Sequence, residues 1–325
     1  MNQRLAVCFA VVLCLAALIA AIPVAAAEDR PTERVSPAPQ VNPNAVLWRT
    51  PQPPAKPQAG DVWVNPKDGM EMVYIAPGEF TLGTSDAQID AWLKEHPADT
   101  RKMFRDEHPQ CRVNLPGYWI GRTEVTNAQY LRFVEATGHR TPNHWEGGQV
   151  PSGLKNCPVV WVDCLAASAY CEWAGGHLPS ELRWEKAARG ADGRIFPWGN
   201  QWDSKRCRNN AEGPAAVGSY PTGASPYGCA DMAGNVWEWC ADWYDESAYQ
   251  RYAKGDLTAP NSGEYMVLRG GSWGNVTPYY FRCADRNGSR PPGYRDYGTD
   301  DSRLTYFDFG VESDVGFRCA RDASP

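Results

Sequence analysis

Hydrophobic and polar positions alternate along this chain in three different ways. Leu5 to Ala21 is almost continuously apolar. Glu28 to Gly60 has no period, and its prolines at 31, 37, 39, 43, 51, 53, 54 and 57 remove backbone donors and favour extended chain. From Asp61 onward short apolar runs recur between turns. Met72-Val73-Tyr74-Ile75, ended by Pro77-Gly78, and Phe80-Thr81-Leu82-Gly83 predict two strands joined as a hairpin. A short helix is expected from Ala87 to Leu93. Arg112–Leu115 and Tyr118–Ile120 read as strands around a Pro-Gly turn.

Three punctuated helices follow. Thr126 caps the first, Gln129 completes a capping box, Tyr130, Phe133 and Val134 form its apolar face, and Gly138 ends it. Asp163 caps the second, with Ala166, Ala169, Tyr170 and Trp173 inward and Gly175 as its stop. Ser180 caps the third, with Trp184 and Ala188 inward and Gly190 as its stop. Beyond Gly190 the helical period vanishes. Val217–Pro221, Met266–Trp273 and Val315–Ala320 read as strands, the second carrying glycines that permit close backbone approach. In Trp237-Glu238-Trp239 a strand puts both rings on one face and the carboxylate on the other. Glu238 then faces the turn made by Asp231 and the backbone of Gly234 and Val236. Two readings stay open: oxygen ligands for calcium, or a tight turn with Glu238 bonded to backbone amides.

Composition narrows the class. The 325 residues carry a net charge of −6 and show no basic stripe, which excludes a nucleic-acid binder. The 14 tryptophans, 15 tyrosines and 30 glycines describe a turn-rich fold and no helical bundle. Residues 1–27 read as a secretory signal, with Arg4 before the apolar run and Ala25-Ala26-Ala27 as the cleavage site. Residues 28–60 read as a proline-rich tether and 61–325 as one globular domain. After signal removal no apolar stretch is long enough to span a bilayer, so an extracytoplasmic (periplasmic or secreted) protein is expected. Of 11 cysteines, Cys8 and Cys14 leave with the signal. The odd number remaining leaves at least one thiol without an internal partner.

The ordered motifs then carry a resemblance. They include Ile75-Ala76-Pro77-Gly78-Glu79-Phe80, Glu124-Val125-Thr126-Asn127, Pro158-Val159-Val160 and Ala169-Tyr170-Cys171-Glu172-Trp173-Ala174-Gly175. Leu178-Pro179-Ser180, Trp184-Glu185, Gly234–Trp239, Arg269-Gly270-Gly271-Ser272-Trp273 and Gly316-Phe317-Arg318-Cys319-Ala320 complete the series. From Asp61 to Arg321 the chain resembles the formylglycine-generating enzyme, or sulfatase-modifying factor, family. The resemblance implies an α+β domain, a C-type-lectin-like fold variant with little regular secondary structure. It implies a structural calcium ion on Asp231, the carbonyls of Gly234 and Val236, and Glu238, and a second site at Asn209 and Asn210 whose remaining ligands look shortened. It implies a disulfide between Cys171 and Cys319, and a pocket with Ser272 and Trp273. Cys283 matches a family cysteine whose partner position is Ala188, which leaves it free or re-paired with Cys229 or Cys240.

One departure matters most. Family members that make formylglycine hold copper on two cysteines between the Gly-Gly-Ser run and Arg282-Cys283-Ala284. Residues 273–281 contain no cysteine, so copper is not expected. His139, His144 and Glu146 lie in a Pro-containing loop without ligand spacing and read as structural, as does His177 at a helix end. The resulting expectation is a calcium-stabilised binding or accessory module with a protein, peptide or carbohydrate partner. The alternatives are a divergent oxidoreductase on the same scaffold, of the kind acting in siderophore maturation, or formylglycine generation by another route.

Overall fold

The computed structural model describes residues 42, 44–292 and 313–323. The expected signal and the first part of the tether lie outside the described residues. Strands β1 (Leu47–Trp48), β2 (Val62–Val64), β3 (Glu71–Ile75), β4 (Gly78–Leu82), β5 (Cys111–Leu115) and β6 (Tyr118–Gly121) occupy the first part of the chain. Helices α1 (Asp86–Glu95), α2 (Asn127–Thr137), α3 (Cys164–Ala174), α4 (Glu181–Arg189) and α5 (Ala248–Tyr252) are interleaved with them and with β7 (Trp237–Trp243) and β8 (Met266–Arg269). β9 (Asn287–Ser289), β10 (Val315–Gly316) and β11 (Ala320–Asp322) follow.

One sheet runs β1-β2-β3-β6-β11, a second runs β10-β7-β8-β9, and β4 pairs with β5 alone. β1, inside the segment to which no structure is assigned from sequence, joins β2 in parallel. Strand β3 explains the layering. Its alternate residues point to opposite faces. Met72 and Tyr74 enter an aromatic core with Tyr130 and Phe133 of α2 and Tyr170 of α3. Val73 and Ile75 enter a second core with Trp184, Ala187 and Ala188 of α4. β6 divides in the same way, with Trp119 on the first face and Tyr118 and Ile120 on the second.

That double burial corrects the predicted hairpin. β3 has its apolar residues covered on both faces and has β2 and β6 as neighbours, so β4 pairs with β5 instead. Val217–Pro221 is also no strand: left-handed Gly218 turns the chain into a short 3-10 helix at Pro221–Gly223. The C-type-lectin-like expectation is corrected too. The domain is α+β, but its sheet is curled into a half-barrel. Short twisted strands accumulate that curl.

The helix caps follow the sequence. Thr126 and Gln129 form the capping box of α2 and Gly138 is left-handed at φ 71°. Asp163 accepts the Ala166 amide and Ser180 the Arg183 amide. α4 departs from its predicted amphipathicity, because Glu181, Glu185, Lys186 and Arg189 are buried along with Trp184 and Ala188. Glu185 accepts from the Gly83 amide and Arg189 on one oxygen, and from Tyr249 and Arg269 on the other. Arg286 grips Glu181 with both oxygens engaged, at 2.6 and 2.8 Å.

Asp242 of β7 accepts the Glu181 amide at 2.6 Å, closing the first turn of α4. Burial, reinforced by the Glu181 charge, pushes its carboxyl up to about 6 from 3.8. The folded state therefore binds this proton more tightly than the unfolded chain. The associated stability is complete below about pH 4 and is lost as pH rises towards 6. Asp242→Asn keeps the acceptor and removes the charge. The variant is expected to match wild type near pH 4 and to exceed it near pH 7.5, by roughly 3 kcal/mol at most. Urea midpoints at the two pH values check this, and equal differences at both would refute it.

Candidate functional site

Consecutive left-handed glycines end β8. A side chain on Gly270 would meet the Trp184 ring at 3.1 Å, and one on Gly271 would meet the Tyr280 carbonyl at 2.8 Å. Only glycine lets the backbone press this closely, and the turn delivers Ser272 to a buried position. The Ser272 hydroxyl donates to Asp314 Oδ2 at 2.6 Å. The Ser272 amide donates to Asn275 Oδ1 at 2.7 Å, and the Gly274 amide reaches Ser272 Oγ at 3.3 Å. Asp314 is fixed in turn, since its carbonyl accepts the Trp237 amide at the start of β7. Burial raises the Asp314 carboxyl above its ordinary range, opposed by the Ser272 hydrogen bond.

Aromatic side chains flank this pair. The Trp237 and Tyr280 rings meet edge-on at 6.2 Å, with Tyr280 partly exposed. The Trp273 backbone is pinned by its amide to the Asn235 carbonyl and by its own carbonyl to the Ala211 amide. Its buried indole Nε1 has no hydrogen-bond partner among the described residues. The arrangement holds the Ser272 hydroxyl against an acid that can keep or release a proton.

The opening turn assembles differently from its sequence reading. Trp237 and Trp239 do enter the aromatic core on one face. On the other, Glu238 receives Arg318 through Nε at 2.6 Å and Nη2 at 2.6 Å, and Trp184 Nε1 at 2.9 Å. The carboxylate accepts from these two side chains and not from backbone amides. Asp231, left-handed at φ 54°, accepts the Gly218 amide at 2.6 Å. Glu124 lies between them. One of its oxygens accepts from Asn235 Nδ2 at 3.0 Å and the other is buried without a partner among the described residues. Burial, then the neighbouring Asp231 charge, raises Glu124 well above the usual carboxylate range. Arg318 already fills the position of a cation at Glu238. As placed, Glu238 is turned to Arg318 and Asp231 to the Gly218 amide.

Asn209 donates its side-chain amide to the carbonyls of Ser204 and Cys207, and Asn210 donates its backbone amide to Asn275. His139 stacks near Phe133, whereas His144 faces Trp145 and Trp161. Among the described residues no group of three or more His, Cys, Asp or Glu side chains is arranged to hold a metal. The sulfurs of Cys171 and Cys319 face each other at 2.7 Å in the aromatic core. Cys283, Cys229, Cys240 and Ala188 share the second core.

Sequence reasoning missed Asp314, Asn275, Glu124 and the pairing of Arg318. A signal for the last existed. Arg318 lies in an apolar strand run, as does Glu238, and a buried charge in such a run requires an opposite one.

A sequence profile of the sulfatase-modifying factor enzyme 1-like domain matches residues 58–323. The chain belongs to this family. Hercynine oxygenase of Mycolicibacterium smegmatis is 36% identical over 259 residues, which cover 67% of this chain and 58% of that protein. The chain therefore spans little more than half of that relative. Formylglycine-generating enzyme of Streptomyces coelicolor is 32% identical over 336 residues, covering 84% of this chain and 96% of the relative. Among solved structures, PvdO from Pseudomonas aeruginosa superposes with a TM-score of 0.61 at 25% identity, covering 82% of this chain and all of PvdO. This likeness supports the half-barrel architecture in place of the C-type-lectin-like one. The scaffold is that of an enzyme family. No helix among the described residues is long and apolar enough to cross a membrane.

Proposed function

We propose that this sulfatase-modifying-factor domain is a divergent oxidoreductase acting outside the cytoplasm, centred on Ser272 and Asp314 and independent of a two-thiolate copper site. The observation that carries the reading is the composition of the segment after the Gly-Gly turn. Residues 273–281 offer no thiol, yet a buried serine is held by a carboxylate beside Trp237 and Tyr280. The names of the relatives, an oxygenase of hercynine and a generator of formylglycine, support oxidation as the reaction class. The extracytoplasmic placement is supported by the signal-like Leu5–Ala21 run and its cleavage site.

In this reading Ser272 orients a polar group of the substrate and Asp314 exchanges a proton with it. Dioxygen is the electron acceptor to test, because serine and carboxylate side chains do not accept electrons. The experiment follows oxygen uptake by protein purified from its native compartment. It supplies hercynine, a Cys-x-Pro-x-Arg peptide and small-molecule extracts of that compartment in turn. Uptake with at least one of these is expected, falling about a hundredfold in Ser272→Ala. Mass spectrometry of the peptide is expected to show no aldehyde. Formylglycine formation that is lost on removal of copper would overturn the copper-independent part of the proposal. Absence of uptake throughout would overturn the enzyme and leave the binding module.

A further inference from the structure

The loop after α2 and the start of α3 enclose a second site, separate from the Ser272 pair in its residues. Its wall is Trp161, whose backbone is left-handed at φ 60° while its ring is 39% exposed. That conformation is strained for a bulky side chain and persists only where its surroundings impose it. Here they do. The next residue, Val162, accepts the buried Trp239 indole through its carbonyl at 3.0 Å, and Asp163 caps α3 at 2.7 Å. More than half of Trp161 is buried, its ring lies 6.4 Å from that of His144, and its remaining surface borders the groove.

Tyr130 lines the same groove from below. It is 1% exposed and held by stacking on Tyr170 at 5.8 Å. Its hydroxyl makes no hydrogen bond to another described residue and stays open to the groove. Burial, with the Asp163 charge next, keeps this phenol protonated and thus a neutral donor. The hydroxyl is therefore available to a partner from outside, water or a ligand. Thr141 and Asn143 add uncharged polar groups to the lining. Arg140 also borders the groove, but its guanidinium is paired with Asp163.

We infer that the Trp161–Tyr130 groove binds a neutral hydroxylated ring, the terminal sugar of a glycan. The indole takes the apolar face of the ring, and Tyr130, Thr141 and Asn143 take its hydroxyls. An ionic ligand is less well matched, because the one charge pair at the site is internally neutralised. A fully apolar ligand would leave the Tyr130 hydroxyl without a partner.

The test uses saturation-transfer NMR on the full chain with methyl glycosides of the common hexoses and N-acetylhexosamines. At least one is expected to bind saturably in the millimolar range. Tyr130→Phe weakens that binding by about three- to tenfold, the loss of one neutral hydrogen bond. Trp161→Gly abolishes it, and the loss of the buried part of the indole is offset in part because glycine accepts the left-handed backbone without strain. A purely structural tryptophan would leave binding by the folded variant intact. No saturable binding by any glycoside up to about 20 mM, a Kd limit near −2 kcal/mol, would overturn the inference. So would binding that survives both substitutions, or a site that takes a proline-rich peptide and no sugar.

Discussion

Arg318→Met is expected to lower the stability of this domain by about 3–5 kcal/mol, a large part of what a typical domain possesses. Arg318 is fully buried, and its guanidinium bonds both oxygens of Glu238 and the carbonyls of Gly121, Arg122 and Ala230. Methionine fills comparable volume but leaves Glu238 charged, dry and facing only the Trp184 indole. Adding Glu238→Gln should recover part of the loss, because the amide oxygen still accepts from Trp184 and no charge remains buried. Urea denaturation of the two single variants and the double variant gives the coupling directly. A single Arg318→Met variant with a wild-type midpoint would mean that the pair is open to water, contrary to its position between the two cores.

Glu185 is expected to give the second large effect. Four donors converge on it: the Gly83 amide, Arg189, Tyr249 and Arg269. Glu185→Leu leaves Arg189 without its buried counter-charge and Arg269 with only Glu181, 3.7 Å away, and should cost about 3–5 kcal/mol. Glu185→Gln preserves the shape and two acceptor sites but weakens each charge-assisted bond, for a loss of about 1.5–3 kcal/mol. The order of midpoints, wild type above glutamine above leucine, is the readout. A leucine variant as stable as the glutamine one would show that the arginines find other partners, such as the Cys283 carbonyl 2.9 Å from Arg269.

These two residues also show where the sequence was legible. Caps and stops are local, so Thr126, Asp163, Ser180 and Gly138 could be assigned from their neighbours alone. The Trp-Glu-Trp alternation was legible too, because strand geometry forces it. Pairing was not. β3 and β4 are adjacent in sequence, yet their partners depend on which faces the rest of the chain covers. The buried charges of α4 defeat a hydrophobic pattern for the same reason: Glu185 is interior only because Arg189, Tyr249 and Arg269 meet it there. At the candidate site, Ser272 and Trp273 were named through motifs. Asp314 was not, because its role arises when β10 lies parallel to β7 and brings residues 42 positions apart into contact.

The position of β10 and β11 has a consequence for the order in which the molecule is made. Within eight residues, Val315–Gly316 adds a strand to one sheet beside Trp237, and Ala320–Asp322 adds a strand to the other beside β6. Arg318, between them, neutralises Glu238. While the ribosome is still adding residues before Val315, both sheets have an open edge and the central carboxylate has no counter-ion. Emerging chain up to that point is therefore only a partly closed intermediate. Closure is a late, nearly simultaneous event that a nascent chain reaches only once this short segment is free to dock.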